Sequence, residues 1–421
     1  MRDHAASWEA LRETDPEVAE ALAAELRRER STIRLVASEN YASPAVLAAL
    51  ASTMNNKYAE GYPGRRYYGG CRYVDVTEQL AIDRAKALFG ADHANVQPHA
   101  GAQANLAVFG AFLEPHSDDT VLALVLAHGG HLTHGSPVNV SGKWFRFVGY
   151  EVDRETEQLD MERIADLARQ RRPKIILTGY TAYPRVIDFA EFRRIADEIG
   201  AILWVDASHF IGLSAGGAYP NPTPYADVVT FTTHKTLRGP RGAVILCREE
   251  HAKAIDRAVF PMMQGGPLEN VIAAKAVALK EAMTPAFREY AARTVRTARA
   301  LAEGLAEEGL RIVSGGTDSH LVLADLRPVG IGGRDAELAC DRVGVTLNKN
   351  GIPFDPMPPL NPSGIRVGTP GPATLGMDEP EMKEIAGVIG DVLHAPSDDD
   401  VIARCRARVG DLVGRFPAYP S

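Results

Sequence analysis

Two apolar segments that end in reactive side chains constrain the fold of this chain most strongly. Residues 227–236, DVVTFTTHKT, run from β-branched positions into hydroxyls, an imidazole and Lys235, before the turn-rich sequence LRGPRG. Residues 201–209, AILWVDASH, run in the same way into Asp206 and His209. Each segment has the composition of a buried strand. The pattern predicts two interior strands that carry an amine and a carboxylate at their carboxyl ends.

The region between residues 43 and 247 alternates strands with helices. Apolar strands are predicted at residues 121–126, 174–179, 201–205, 228–231 and 243–247. Helices are predicted to start at residue 44 and near residue 101, and to span residues 75–89, 161–171 and 190–200. This alternation is typical of an α/β fold with a mostly parallel sheet covered by helices on both faces. Ligands of such sheets bind beyond the carboxyl ends of the strands.

Changes in pattern divide the chain into three parts. Residues 1–30 are predicted to be an N-terminal helical arm, with a charged helix at 7–30 whose narrow apolar face packs on a partner subunit. Residues 31–283 form a large domain that ends in a long helix at 271–283. Residues 284–421 form a smaller α+β domain, with short strands at residues 311–313, 320–323 and 364–367.

Composition restricts the functional classes. A length of 421 residues suggests two or three domains, and the net charge of −8 argues against non-specific binding of nucleic acid or of a membrane surface. The four cysteines form no CxxC pair, which fits a reducing cytoplasm. We expect no signal peptide and no membrane span, since no apolar run reaches about 20 residues.

The lysine and the aspartate suggest a cofactor. A Schiff-base lysine and an aspartate facing a pyridinium nitrogen are the pair that pyridoxal phosphate enzymes use. Either residue alone would equally suit an ordinary strand end at a surface. For the phosphate, residues 97–105, QPHAGAQAN, place Gly101 in a turn before an Ala-rich helix, and residues 264–267 offer a second glycine turn. Glycine turns before helices are also common without a ligand.

Three histidines lie close together in residues 126–136, LAHGGHLTHGS. No carboxylate or cysteine stands among them, so a metal site is not indicated. The two glycines favour close approach of a flat ligand. We expect His131 to stack on the pyridine ring, and His128 and His134 to be core histidines.

Two further segments suit the substrate. Arg366 lies on a short strand between glycines, and its guanidinium fits an α-carboxylate, although a surface arginine is the alternative. Residues 57–70 carry four tyrosines and four glycines around Glu60. A solvated loop rarely carries so many aromatic residues, so this segment predicts a buried polar site for acid–base chemistry.

With these segments together, the chain resembles the serine hydroxymethyltransferase family over about residues 33–417. The motifs that carry the resemblance are NKYAEGYPGRRYYGG, LAHGGHLTHGSPVN, TTHKTLRGPRG and SGIRVGTP. The resemblance implies an aspartate-aminotransferase-like fold (fold type I) and the interconversion of L-serine and glycine. It implies pyridoxal 5′-phosphate as cofactor, tetrahydrofolate as co-substrate, and a homodimer whose active sites are shared between subunits.

The resemblance also assigns roles to the matching positions. The implied cofactor-binding residues are Lys235, Asp206, His131, His209, Gly101, Ala102, Thr181, Tyr58 and Gly266. The implied substrate-binding residues are Ser38, Tyr68, Arg366 and Glu60, and the implied folate contacts are Glu60, Leu126, Gly130 and Asn350. The catalytic candidates are Lys235, Glu60, Tyr68 and His234, and no metal is expected. Tyr58, Glu60 and Gly266 are expected to reach in from the second subunit.

Several positions depart from the usual family pattern. Ala100 and Ala102 replace two serines, Thr181 replaces a serine near the cofactor, and Phe354 replaces a small or polar residue. These changes leave open a paralogue that acts on another amino acid, such as an α-methylserine-forming hydroxymethyltransferase or a threonine-type aldolase or transaldolase. A non-catalytic binder that kept the fold is a third alternative, which the retained lysine, aspartate and arginine disfavour.

Overall fold

The structure is a computed structural model that describes residues 4–420, with side chains described for residues 8–420. The strands are β1 (Ile33–Arg34), β2 (Gly61–Tyr62), β3 (Arg65–Arg66), β4 (His93–Asn95), β5 (Thr120–Leu124), β6 (Arg146–Tyr150), β7 (Ile175–Thr178), β8 (Ile202–Asp206), β9 (Val228–Thr232), β10 (Ala243–Cys247), β11 (Arg311–Ile312), β12 (Leu321–Asp325), β13 (Val345–Thr346), β14 (Asn348–Asn350) and β15 (Gly364–Gly368). The helices are α1 (His4–Thr14), α2 (Pro16–Ser31), α3 (Pro44–Leu50), α4 (Arg72–Phe89), α5 (Gly101–Phe112), α6 (Val140–Trp144), α7 (Met161–Arg171), α8 (Phe189–Ile199), α9 (Ile211–Ala215), α10 (Glu249–Arg257), α11 (Glu269–Ala282), α12 (Pro285–Glu307), α13 (Gly333–Arg342), α14 (Pro370–Leu375), α15 (Glu379–His394) and α16 (Asp399–Arg415).

A seven-stranded sheet organises residues 93–247, in the order β4-β10-β9-β8-β7-β5-β6. The five strands from β9 to β6 run parallel, while β10 and β4 are antiparallel to their neighbours. Asp206, the last residue of β8, is level with Thr230 of β9, so β9 continues past it toward Lys235. The predicted α/β fold with a mostly parallel sheet is confirmed.

Both faces of this sheet are buried, because alternate residues of its strands belong to two apolar clusters. Trp204 packs with α5 and α10 on one face, whereas Leu203 and Val205 pack with α7, α8 and α11 on the other. The same alternation separates Val228 from Val229. Strands buried on both faces read as nearly continuous apolar runs, which is why the sequence predicts them well.

A second, four-stranded antiparallel sheet follows, in the order β11-β12-β15-β14. Arg366 lies in the middle strand β15, paired with Leu323 on one side and Asn348 on the other. Near the start of the chain, β1 pairs in parallel with β13, Ile33 opposite Val345. The division into residues 1–30, 31–283 and 284–421 stays a prediction.

The prediction of one helix over residues 7–30 is wrong. The helix breaks at Asp15, which accepts a hydrogen bond from the Val18 N–H (3.0 Å) and caps α2, with Pro16 at its first position. Proline disfavours helical geometry at the residue before it, so the break is local in origin. The apolar side chains of this arm, Trp8, Val18, Leu22 and Leu26, are exposed in the single chain.

Within residues 4–420, the helices are either too short or too polar to cross a lipid bilayer. The four cysteines are buried and free of disulfide bonds.

Candidate active site

The carboxylate of Asp206 is held at the end of β8 by three donors. Its Oδ2 accepts hydrogen bonds from Asn105 Nδ2 (2.8 Å) and from His134 Nε2 (3.0 Å). Its Oδ1 accepts one from the backbone N–H of Ser208 (3.1 Å). Burial opposes the charge, but the contact with His134 and the nearby His131 hold the pKa of Asp206 well below its ordinary value. Asp206 is therefore ionised, as a partner for a protonated ring nitrogen must be.

Lys235 follows the end of β9 and lies within the protein. Its backbone carbonyl accepts a hydrogen bond from Asn40 Nδ2 (3.0 Å), and the next carbonyl, of Thr236, accepts one from the Tyr290 hydroxyl (3.0 Å). Burial lowers the pKa of Lys235, Asp206 opposes this and Arg366 adds to it, with a net pKa of about 8. A fraction of the amine is thus neutral near physiological pH, which a nucleophile toward an aldehyde requires.

His131 is fixed by Thr133, which the sequence analysis did not identify. The Nδ1 atom of His131 accepts a hydrogen bond from the Thr133 N–H (3.2 Å) and lies 2.8 Å from the Thr133 hydroxyl. That hydroxyl accepts a hydrogen bond from Asn105 Nδ2 (2.9 Å), so Asn105 links His131 to Asp206. Burial lowers the pKa of His131 to about 4, which keeps the ring neutral and able to stack on a flat ligand.

His134 is buried, as expected for a core histidine, and it also donates to Asp206. His128 is buried and touches Phe354 instead. Nitrogens of His131 and His134 and an oxygen of Asp206 lie within 4.8 Å of one another, a geometry that a metal ion could use. Hydrogen bonds already engage the carboxylate and His134, however, so the absence of a metal stays our prediction.

Arg366 faces the same region from the second sheet. Its side chain is buried, with Nη1 donating to the carbonyl of Thr181 (2.8 Å) and Nε donating to Asn348 Oδ1 (3.2 Å). Burial lowers the pKa of Arg366 to about 10, and the guanidinium stays charged at neutral pH. Because no carboxylate pairs with it among the described residues, Arg366 is available to an anionic substrate.

Two stacked histidines, His209 and His320, lie near Arg366. His209 Nδ1 lies 3.1 Å from His320 Nε2, and burial lowers the pKa of both imidazoles, to about 3 for His320. His320 lies beside Ala37, next to the half-buried Ser38. His320 comes from a segment with no distinctive motif, so sequence reasoning did not find it.

The start of α5 has the features of a phosphate site. No side chain caps α5, so the first N–H groups after Ala100 lack partners within the helix. A Cβ on Gly101 would lie 2.7 Å from Thr232 Cγ2, which explains the glycine. An uncapped helix start suits a phosphorylated ligand. The hydroxyl of Thr181, whose carbonyl accepts from Arg366, is also buried without a hydrogen-bond partner.

A second group of predicted residues forms a separate surface. Tyr58 Oη donates to Glu60 Oε1 (3.1 Å), and Tyr68 packs against Tyr58 with ring centroids 5.1 Å apart. The turn at Gly265 and Gly266 lies against both, since added Cβ atoms would come within 3.1 Å of Glu60 and 3.0 Å of Tyr58. Among the described residues, no hydrogen bond joins this group to Lys235 or Asp206.

The prediction that residues 57–70 form a buried polar site is wrong for the single chain. Tyr58, Tyr67 and Tyr68 are 54%, 76% and 47% exposed. The reason is that the polar contacts of this segment are made on its buried side, where Arg66 donates to the carbonyls of Ala59 and Gly61, while the three rings stay exposed. Sequence composition predicts that aromatic residues are covered, but it does not tell whether the same chain covers them.

The remaining candidates lie around these groups. Leu126 is exposed, and Gly130 lies in a tight turn where a Cβ would come within 2.2 Å of the Leu124 carbonyl. Asn350 donates to the Gly351 carbonyl (2.7 Å) at the end of β14. His234 has no partner on Nδ1, and burial lowers its pKa to about 3, so it is a neutral ring beside Lys235.

The arrangement fits one cofactor class. A partly neutral buried lysine, an ionised aspartate, a neutral imidazole and an uncapped helix start match the aldehyde, ring nitrogen, ring face and phosphate of pyridoxal phosphate. The fold and this set of residues define a pyridoxal-phosphate-dependent enzyme of fold type I.

Comparison with known proteins agrees with this class. The serine hydroxymethyltransferase family model matches residues 11–389. A curated serine hydroxymethyltransferase from Synechococcus sp. (strain JA-3-3Ab) is 57% identical over 423 residues, which cover 97% of this chain and 97% of that protein. The chain belongs to the serine hydroxymethyltransferase family.

Proposed function

We propose that this chain interconverts L-serine and glycine, with pyridoxal phosphate as cofactor and tetrahydrofolate as co-substrate. The observation that carries the proposal is the buried amine of Lys235 near the ionised Asp206, in a chain of this family. The 57% identity to a serine hydroxymethyltransferase favours this activity over the paralogue that acts on another amino acid. A cytoplasmic location stays a prediction.

Different residues of this chain would bind different parts of the cofactor. Lys235 would hold the cofactor covalently, Asp206 its ring nitrogen, His131 its ring face, and the start of α5, with Gly101 and Ala102, its phosphate. When bound, pyridoxal phosphate accepts the electron pair released by bond cleavage at the substrate Cα. Thr181 and His209 would contact the cofactor as well.

Arg366 and Glu60 would act on the substrate. Arg366 binds the α-carboxylate through its guanidinium, with Ser38 and Tyr68 beside the amino acid. Glu60 takes the proton from the serine hydroxyl while the Cα–Cβ bond breaks, and returns a proton in the reverse direction. Leu126, Gly130 and Asn350 would contact the folate ring.

We infer that the enzyme is a homodimer. The exposed aromatic residues Tyr58, Tyr67 and Tyr68 need a covering surface, and Glu60 makes no hydrogen bond with Lys235 in its own chain. In a dimer, Tyr58, Glu60 and Gly266 of one protomer would complete the site of its partner. The apolar face of the arm would be buried at the same time. We keep residues 284–421 as a separate small α+β domain in this proposal.

Glu60→Gln tests the catalytic role. We expect cofactor absorbance and serine binding to stay as in the wild type, while folate-dependent turnover falls by roughly 10²-fold. Glu155→Gln, on an exposed loop, is the matched control and should leave turnover unchanged. Near wild-type turnover of Glu60→Gln would remove Glu60 from the role.

Mixing two inactive variants tests the shared site. In a refolded equal mixture of Glu60→Gln and Lys235→Met, half of the dimers are mixed, and each mixed dimer has one site with both residues intact. Activity should therefore return to about a quarter of the wild-type value. If Glu60 serves the site of its own chain, no mixed dimer contains an intact site and the mixture stays inactive.

A further inference from the structure

A buried cluster of charged side chains lies behind the loop that carries Glu60. Arg66 of β3, Glu78 of α4 and Glu269 of α11 meet with side chains only 3%, 1% and 0% exposed. Asp75 lies at the rim of the cluster. None of these residues belongs to the proposed binding site. Burying so many charges nevertheless costs desolvation free energy.

Arg66 uses its guanidinium to hold the backbone on both sides of Glu60. Its Nη1 donates to the carbonyl oxygens of Ala59 (2.8 Å) and Gly61 (2.9 Å). Its Nε donates to Asp75 (2.8 Å) and its Nη2 to Glu78 (2.7 Å). The planar fork of arginine reaches four acceptors at once, which a lysine ammonium cannot do in this geometry.

Gln97, two residues after β4, holds the same stretch of backbone. Its Nε2 donates to the Gly61 carbonyl (2.8 Å) and to Glu78 Oε1 (2.7 Å). Gln264, next to the Gly265–Gly266 turn, donates to the Gln97 carbonyl (3.1 Å). One network therefore fixes the backbone of Glu60 and the glycine turn that packs against it.

The two glutamates cannot both be ionised at ordinary pH. Glu78 accepts from Arg66 and Gln97, whereas neither oxygen of Glu269 accepts a hydrogen bond. Burial and then Glu78 raise the pKa of Glu269, and Arg66 opposes the rise, with a net pKa of about 8. The other charged groups that face the pair are Asp75 and Lys275, whose ammonium donates to the carbonyls of Val96, Pro98 and Ala243. A protonated Glu269 donates to Glu78.

We propose that Arg66 is a positioning residue for Glu60, and that Glu78 and Glu269 hold Arg66 in place as a carboxyl–carboxylate pair that shares one proton. The positioning role rests on the proposed function of Glu60. With one shared proton, the pair carries a single negative charge, which balances the positive charge of Arg66. The guanidinium of Arg66 therefore stays on the carbonyls of Ala59 and Gly61.

A double-mutant cycle tests the positioning role. Arg66→Lys should lower kcat by about tenfold or more through misplacement of Glu60, with the KM for serine unchanged within about twofold. Added to Glu60→Gln, it should cause no further loss, because Arg66 acts through Glu60. Arg65→Lys, its exposed neighbour, is the matched control. Should Arg66→Lys fail to fold, Gln97→Leu removes a second donor to Gly61 and replaces it in the cycle.

The outcomes separate the two proposals. If Glu60→Gln alone has near wild-type turnover, the proposed role of Glu60 fails, whatever Arg66 does. If Glu60→Gln is impaired and Arg66→Lys still adds its full loss, positioning is refuted while the role of Glu60 stands.

Glu269→Gln tests the shared proton. The amide mimics the protonated acid, so kcat should stay within about twofold of the wild type, whereas a tenfold loss would show that an ionised Glu269 is needed. The folded chain keeps a proton on Glu269 that the unfolded chain releases above its ordinary pKa of 4.5. Wild-type stability should therefore fall relative to Glu269→Gln as pH rises from about 5 to about 8. Parallel Tm profiles would overturn the shared proton.

Discussion

His134 Nε2 donates a 3.0 Å hydrogen bond to Asp206 Oδ2, and both side chains are shielded from solvent. A second chain of hydrogen bonds reaches the same oxygen through the sheet. It runs from Trp204 Nε1 to the Thr230 hydroxyl (3.0 Å), from that hydroxyl to Asn105 Oδ1 (2.8 Å), and from Asn105 Nδ2 to Asp206 (2.8 Å). The carboxylate is therefore oriented by the protein alone, before any ligand binds.

His134→Leu should show how much the hydrogen bond from His134 to Asp206 contributes to stability and to cofactor binding. Loss of one donor to a buried carboxylate should lower the free energy of unfolding by about 1.5–3 kcal/mol and weaken cofactor binding. Denaturant unfolding and a cofactor titration measure both quantities. His128→Leu is the control, since His128 is also buried but does not touch Asp206. Equal cofactor affinities in the two variants would contradict the assignment.

Lys235→Met should stabilise the cofactor-free protein while abolishing activity. The pKa of Lys235 is lowered from its ordinary 10.5 to about 8, so the folded chain disfavours a charge that the unfolded chain carries. Stability should rise as pH increases from about 8 to about 10.5, and removing the amine should add up to about 3 kcal/mol at pH 7. Denaturant unfolding at both ends of this range checks the prediction.

The gain from Lys235→Met should shrink toward pH 10.5, where the wild-type amine is neutral in both states. Lys280→Met, at an exposed position of α11, should show neither the gain nor its pH dependence. A variant at Lys235 that is less stable than the wild type at pH 7 would contradict the account.

Much of the large sheet could be predicted, because its strands are apolar throughout. The predicted bounds of α7 and β10 agree with the structure at both ends, Asp206 ends β8, and Lys235 follows β9. The strand β6 was missed, since its residues are partly exposed and include Arg146.

The partners of the site residues could not be predicted in the same way. Asn105 reaches Asp206 only because α5 packs across β8 and β9. No local sequence pattern predicts this packing. The one available signal was that Asn105 is a polar residue within the mostly apolar α5. Likewise, the exposure of Tyr58 and Tyr68 is a property of the folded subunit, whereas composition reports only their apolar character.

Ala100→Ser with Ala102→Ser should tighten cofactor binding. Both alanines are exposed beside the uncapped start of α5, so new hydroxyls have room to reach a phosphate. One added hydrogen bond to a charged group is worth about 1.5–3 kcal/mol, so the Kd should fall by roughly tenfold or more. Equilibrium dialysis measures it, with Ala190→Ser in the first turn of α8 as the control. An unchanged Kd would mean that the backbone N–H groups already satisfy the phosphate.

Phe354→Asn should weaken tetrahydrofolate binding selectively. Phe354 lies between the His128 ring, 4.3 Å away, and the Arg154 guanidinium, 4.1 Å from its centroid, and it holds the segment after Asn350. Its φ of +56° is one that asparagine tolerates, so the fold should be kept. The KM for tetrahydrofolate should rise about threefold to tenfold, with glycine affinity unchanged.

Phe416→Asn removes another phenylalanine covered by an arginine, Arg415, and serves as the control. Titrations with tetrahydrofolate and with glycine separate the two effects. A parallel loss of glycine affinity in Phe354→Asn would point to general unfolding of the segment instead.

The pairing of β1 with β13 has a consequence for how the enzyme is made. Leu35 is held by backbone bonds to Thr346 and Gly368, and Asn40, which holds Lys235, is itself held by Thr374 (2.7 Å). Residues 33–40 emerge from the ribosome early, whereas the residues that bind them, Thr346, Gly368 and Thr374, are translated near the end of the chain. The reactive lysine therefore gains its full support only when synthesis is almost complete, and a prematurely terminated chain cannot assemble a working site.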